Sequence, residues 1–208
     1  MIARLQQVDK VYANGVVALR HLDLDVGEGE FLSLLGPSGC GKSTVLRLVA
    51  GLGEVSGGRI EWPNGNGRAR EAIGLVGLDG FERAYPRQLS GGMKMRVSIA
   101  RALVTRPRLL LMDEPFASLD EITRFKLDND LLQLWARQRW TVVFVTHSVY
   151  ESVYLSTRIA VMTARPGRTA SEVVIDAPAP RDEAFRTSPL YHEYCRQVSA
   201  RLAEATRA

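Results

Sequence analysis

The sequence predicts an α/β fold, a mainly parallel sheet with helices over both faces. Three observations carry that expectation. Short, nearly uninterrupted apolar runs of strand length recur, FLSLL at 31–35, LLLM at 109–112 and TVVFVT at 141–146. The segments between them carry apolar residues at helical spacing. The first run ends in a glycine-rich loop that opens a helix. Strands that are apolar at every position have no solvent face, and alternation with helices supplies the cover on both sides.

In chain order, LRHLDLDV at 19–26 reads as a strand, GEG at 27–29 as a turn, and 31–35 as a buried strand. GKSTVLRLVAGL then changes period: Val45, Leu46, Val49 and Leu52 share a helical face, and the helix closes near the glycines at 51 and 53. MKMRVSIARALVTRP places Met95, Ile99, Ala102 and Leu103 on one face ahead of the strand that starts at Leu109. A helix over 122–135 precedes the third apolar strand. Pro166 and Gly167 mark a turn, TASEVVIDAP a short strand, and the tail ends in a helix. No repeat suggests a solenoid.

Composition narrows the class. A chain of 208 residues with 46% apolar and 24% charged residues buries one substantial core, which excludes a disordered chain. Cys40 and Cys195 make no disulfide framework. The N-terminus MIARLQQVDKVY has no secretory pattern and no apolar run is long enough to cross a bilayer, so the expected location is cytoplasmic. The net charge of +4 is spread among acids rather than clustered, and no nucleic-acid partner is expected.

The chemistry begins at LLGPSGCGKST, 34–44, which fits G-x-x-x-x-G-K-[ST]. Gly36, Pro37, Ser38, Gly39, Cys40 and Gly41 form a loop whose backbone N–H groups can curl around phosphate oxygens of ATP. The helix starting near Gly41 adds its positive end, and Lys42 reaches the terminal phosphates. Ser43 can ligate Mg²⁺ and Thr44 can support the adjacent phosphate. Cys40 reads as a small space-filler rather than a nucleophile. Hydrolysis also needs a metal-holding acid and a base for water. LLLMDEP supplies Asp113, which can accept from a magnesium-bound water, and Glu114, placed to take a proton from the attacking one. A helix N-cap is the rival role for Asp113. With His21 and His192 as the only other histidines, His147 is not part of a multi-histidine metal centre.

LSGGM at 89–93 makes the reading specific. It resembles the signature of ABC transporter ATP-binding subunits, and the order of phosphate loop, signature, LLLMDE, ASLD at 117–120 and His147 agrees with that family. The resemblance implies a P-loop NTPase core with N-terminal antiparallel strands and a helical subdomain, here truncated. On that reading 1–208 is a single ABC-type ATP-binding domain, with 66–103 the residual helical and signature subdomain. It implies that His147 contacts the transferred phosphate and that Ser90, Gly91 and Gly92 contact ATP held by the opposite subunit. Asp120 would stabilise the contact between subunits, and Tyr12 would stack on adenine, with packing in the core as the alternative. The implied partners are a second copy or a related ATPase, transmembrane permease subunits and, through them, a solute-binding protein, on the inner face of the cell membrane. GLDGFERAYPRQLSGGMKMRVSIARAL, MDEPFASLDEITR and FVTHSVYESVYLSTRIAVMTARPG are similar to the importer ATPases for nitrate, sulfonate and taurine.

One interval departs from the family pattern. Ser90 lies only 48 residues after Lys42, where the family carries several tens more. No glutamine occurs between Lys42 and Arg87, so the loop glutamine that in the family reaches magnesium is missing. The break falls at NGNG, 64–67. EAIGLVGL after it has both helix and strand potential, and the continuation toward the signature favours helix. The missing strand belongs to the family's core sheet, so its loss would leave backbone groups unpaired or draw its neighbours together. Two functions therefore compete, an ATPase that energises import of a small solute and a nucleotide-binding but coupling-defective chain or nonfunctional remnant.

Overall fold

The computed structural model describes residues 2–50, 53–61, 76, 90–103, 109–178 and 181–207. The readings placed on the glutamine-free junction, on the EAIGLVGL helix and on most of the residual helical subdomain lie outside them.

The N-terminal strands β1 (Ala3–Val11) and β2 (Val17–Val26) form an antiparallel sheet with β4 (Gly57–Glu61), in the order β2-β1-β4. β2 begins two residues before the expected 19–26, and β4 had no sequence signal, since GGRIE opens on two glycines. Those glycines serve a close approach: a Cβ on Gly58 would lie 2.2 Å from the Gln7 carbonyl oxygen, and Gly58 has φ +75°. Here β1 carries an irregularity between Gln6 and Asp9. Only a residue without a side chain fits against such a bulge.

The second sheet runs β5 (Leu109–Asp113), β6 (Thr141–Thr146), β3 (Phe31–Leu35), β7 (Arg158–Met162), β8 (Thr169–Val174). The first four are parallel and β8 turns back antiparallel to β7. The described strands close up without a gap, and among the described residues β5 is an end strand paired with β6 alone. The register carries straight from β5 through β6 to β3.

All residues of β3 and β6 are buried, as continuous apolar runs require. Their alternate side chains feed two cores. Phe31, Leu110, Met112, Val142, Phe144 and Ile159 face one cluster with the helices α3 (Glu121–Gln138), α4 (Val149–Leu155) and α6 (Pro189–Arg207). Leu32, Leu34, Val143, Val145 and Ala160 face the other with α1 (Lys42–Val49) and the antiparallel strands. Phe31 meets Trp135 edge to face at 6.0 Å and lies tilted against Phe144 at 5.8 Å. Each such side chain contributes about 1.5–3 kcal/mol by leaving water, which is what holds the sheet as a platform for the loops at its ends.

The signature helix α2 (Gly91–Leu103) starts where the motif predicts, with Ile99 buried and Met95 partly buried against the first core. α5 (Glu183–Arg186) and α6 return the chain to α3 and α4. Arg186 lies between two rings, 3.6 Å from the Tyr154 centroid and 4.3 Å from that of Phe125, and bonds Asp128 at 3.1 Å. Buried Arg181 donates to the carbonyls of Val153, Tyr154 and Ser156 at the end of α4, which satisfies acceptors the helix leaves open.

Candidate functional site

Parallel pairing decides which loops meet. Leu35 is opposite Thr146 and Asp113 is opposite Val145, so the residues that follow, Gly36, His147 and Glu114, leave the sheet at one edge. Loops at the carboxyl ends of parallel strands are where such sheets bind ligands. His147 joins the three: Nδ1 lies 3.2 Å from the Gly36 carbonyl oxygen and Nε2 lies 2.5 Å from Glu114 Oε1. Both neighbours are acceptors, so satisfying both at once takes two ring protons. Glu114 has φ +46°, a left-handed backbone for a residue with a side chain, and its N–H donates to the Val145 carbonyl at 3.0 Å. Such conformations persist where the surroundings impose them, and they concentrate at functional sites.

The phosphate loop is shaped but internally engaged. Lys42 is buried, with Nζ donating to the carbonyls of Gly36 at 2.8 Å and Pro37 at 3.0 Å. Gly36 C=O is therefore shared by Lys42 and His147. Pro37 is half-buried and Ser38 and Gly39 are exposed at the loop's tip. Gly41 has φ +104°, and a Cβ there would lie 2.8 Å from the Ala18 carbonyl oxygen. Cys40 is buried, and a Cβ on Gly36 would fall 2.9 Å from its sulfur, so the thiol fills the loop's interior. Burial pushes that thiol's pKa up, which fits a packing residue.

The loop fits a phosphate chain on independent grounds. α1 has glycine as N-cap and, among the described residues, no side-chain cap accepting from its first N–H groups. α3, α4 and α5 have Asp120, Ser148 and Asp182 doing so. Open donors at the positive end of α1, with Lys42 beside them, are what an anion requires. Ser43 is exposed at the first turn of α1 and Asp113 is exposed at the end of β5, not at a helix start, which removes the N-cap role considered for it. Among the described residues no group of three or more His, Cys, Asp or Glu is placed to hold a metal ion. A magnesium ion would thus rest on the Ser43 hydroxyl, phosphate oxygens and waters held by Asp113, the sparse protein ligation this ion accepts.

Other expected residues are placed differently from one another. Tyr12 is surface-exposed, not in the core, and its hydroxyl is 3.2 Å from Thr44 Oγ1, which sets an aromatic face beside the loop. Asp120 caps α3 by accepting from Thr123 N–H at 2.9 Å, and that bond lowers its pKa. Ser90 caps α2, its Oγ accepting from Met93 N–H at 3.2 Å. Ser90 and Gly91 are exposed and Gly92 is half-buried. A Cβ on Gly92 would lie 3.3 Å from Thr123, so the signature rests against the start of α3.

The family model described as ABC transporter matches residues 19–70 and 64–117. An ABC transporter ATP-binding protein of Methanocaldococcus jannaschii is 43% identical over 239 positions that take in 95% of this chain and 88% of that one. The chain belongs to the ABC transporter ATP-binding subunits. This ATPase is also 39% identical to an aliphatic sulfonates import ATP-binding protein of Bacillus licheniformis, over 86% of its own length and 85% of the relative's. A dimeric bacterial ABC transporter cassette superposes with a TM-score of 0.72 at 27% identity, covering 85% of this chain and all of that one.

The same comparisons bear on the short interval. The alignment of 239 positions uses 95% of 208 residues, so about 40 positions have no counterpart in this ATPase. The two pieces of the family match share 64–70, the stretch NGNGRAR.

Sequence reasoning missed three residues at the site. Arg165 donates from Nε to the Gly39 carbonyl at 3.2 Å, bracing the loop's tip from the β7–β8 turn. Thr146 and Glu151 lie behind His147. The signal available for Glu151 was the spacing S-x-x-E from Ser148, which predicts a capping box rather than a buried carboxylate.

Proposed function

We propose that this ATPase hydrolyses Mg²⁺-ATP as a peripheral subunit that energises import of a small solute, of the kind represented by nitrate, sulfonates and taurine. The observation that carries the proposal is the convergence of Gly36, Glu114 and His147 at one sheet edge, directly against a phosphate loop with open donors. The likeness to a sulfonate import protein supports the solute class.

The roles follow from position. Backbone N–H groups of 36–44 and Lys42 hold the phosphates. Incoming phosphate oxygens offer Lys42 and His147 a stronger, charged acceptor than the Gly36 carbonyl they now share. His147 thereby turns to the terminal phosphate and releases Glu114 to orient and deprotonate the attacking water. Magnesium, held through Ser43 and Asp113, would draw charge from the phosphate oxygens. Tyr12 stacks on the base. Ser90 and Gly91, exposed, and Gly92, half-buried, stand at a helix start and act on the nucleotide of a second ATPase subunit, with Asp120 beside that contact. The pair sits under transmembrane permease subunits on the inner face of the membrane, with a solute-binding protein acting through them. Among the described residues no helix is long and apolar enough to cross a membrane.

A second reading keeps ATP binding and hydrolysis but weakens coupling to transport. It is favoured by the roughly 40 aligned positions without a counterpart and by the overlap of the two family matches at 64–70; the resemblance implies that such a gap removes the magnesium-reaching glutamine and the permease-contacting helices. Reconstitution with one permease and one binding protein separates the two. Uptake equal to that of a chain with the interval restored supports the coupled importer; retained ATPase with lost uptake supports the second reading.

A further inference from the structure

We propose that Glu151 is a positioning residue for hydrolysis, fixing through Thr146 the turn that carries His147. The inference rests on the roles proposed above for His147 and Glu114. A capping box would send the Glu151 carboxylate back to the Ser148 N–H at the surface. Half of that box is present, since Glu151 N–H donates to Ser148 Oγ at 3.2 Å. The other half is rerouted. Ser148 N–H donates to Thr146 Oγ1 at 3.0 Å, and Thr146 Oγ1 donates its proton to Glu151 Oε2 in a short hydrogen bond. The hydroxyl of Thr146 thus closes a ring around the backbone of His147, with its own rotamer locked from behind by Glu151.

Glu151 is 7% exposed and Thr146 is 4% exposed. Burial raises the pKa of Glu151, opposed by the Thr146 hydrogen bond and by Arg124 and Arg186, and reinforced by Glu114. Asp128, buried on α3, feels the same carboxylate. A second buried acid beside Asp128 is costly, and a capping role alone is served equally well by a surface glutamate. The position of Glu151 gives the cost a use. Glu114, Arg124, Thr146, His147, Ser148 and Glu151 line one cavity of about 280 Å³, so the carboxylate backs the turn on the side where Glu114 meets the imidazole. A ring whose two nitrogens must meet Gly36 and Glu114 tolerates little tilt, and misplacement of about 1 Å costs up to about 100-fold in rate.

The test uses the whole purified chain and Mg²⁺-ATP. Glu151→Ala is expected to lower kcat at least about tenfold while the Kd for ATP moves less than about threefold. Glu151→Gln keeps an oxygen that accepts from Thr146 and is expected to recover most of that loss. If Glu151→Ala does not fold, Thr146→Val, which breaks the same link, carries the same expectation. In the double variant with His147→Ala, kcat is expected to equal that of His147→Ala alone, because both changes remove one function. The proposal is overturned if Glu151→Ala and Thr146→Val leave kcat unchanged, if Glu151→Gln is as impaired as Glu151→Ala, or if the double variant shows the product of the two separate losses. Full activity in His147→Ala alone would instead overturn the role given to His147, and the two failures are read on different variants.

Discussion

Two helix starts in this ATPase use the same physics in opposite settings. α1 begins at a glycine with no side-chain cap, and the lysine that follows is buried against its own loop. α2 begins at a serine that caps it, with Ser90 and Gly91 exposed. A helix start attracts anions in either case. The first is enclosed by β2, β7 and its own loop, down to a 2.8 Å approach between Ala18 O and a Cβ on Gly41. The second faces outward, as the proposed contact with a second subunit requires. On the proposed reading, one half of the nucleotide site is completed by folding and the other by assembly.

That difference can be broken or sharpened by substitution. The largest effect is expected at Glu114, which belongs to the enclosed half: Glu114→Gln should lower kcat by about 10²–10⁴-fold, as loss of a general base does, while ATP affinity is kept. Single-turnover hydrolysis alongside calorimetric titration measures both. Gly91→Asp should lower kcat by about 100-fold by repelling the partner's phosphates. Because an acid in the first helical turn is favourable, the melting temperature should hold. ATP binding to the isolated chain should stay unchanged. If binding by the isolated chain were lost, the outward-facing role of α2 would be wrong.

Lys42→Ala should weaken ATP binding about 10–100-fold, the worth of one or two charge-assisted hydrogen bonds, at every protein concentration. The smallest effect concerns stability rather than catalysis. Burial, with the nearby Glu151, pushes Asp128 up to about 7 despite its bond to Arg186. The folded state then holds a proton that the unfolded state has lost. Its contribution is full below the unfolded carboxylate range and disappears as pH rises to about 7. Thermal unfolding of the wild type should therefore lose stability between about pH 4 and 7, and Asp128→Asn should flatten that slope. An unchanged slope would move the titration to another group.

The enclosed half was largely legible because it is local. The loop at 36–44, its strand and its helix are contiguous, and their periodicity and glycines state the backbone they need. Strand 31–35 was placed without error, and Asp113 was found at a strand end. β4 was not legible, since its glycines answer to a bulge in β1 and not to any local preference. Asp120 and Ser90 read as residues for a partner, yet each also caps its own helix, a duty that becomes visible only when the helix start is fixed.

By itself the sequence determined the phosphate loop and the buried strands, both of which follow from neighbours in the chain. The tertiary structure decided which residues share a bond across the sheet. Gly36 and His147 are 111 positions apart and meet because β3 pairs with β6 in one register. Glu151 looks like a surface cap in the sequence and is buried because α3 and α5 bring Asp128, Arg124 and Arg186 over it. Such contacts depend on register and packing, which are properties of the assembled sheet and helices and of no single segment.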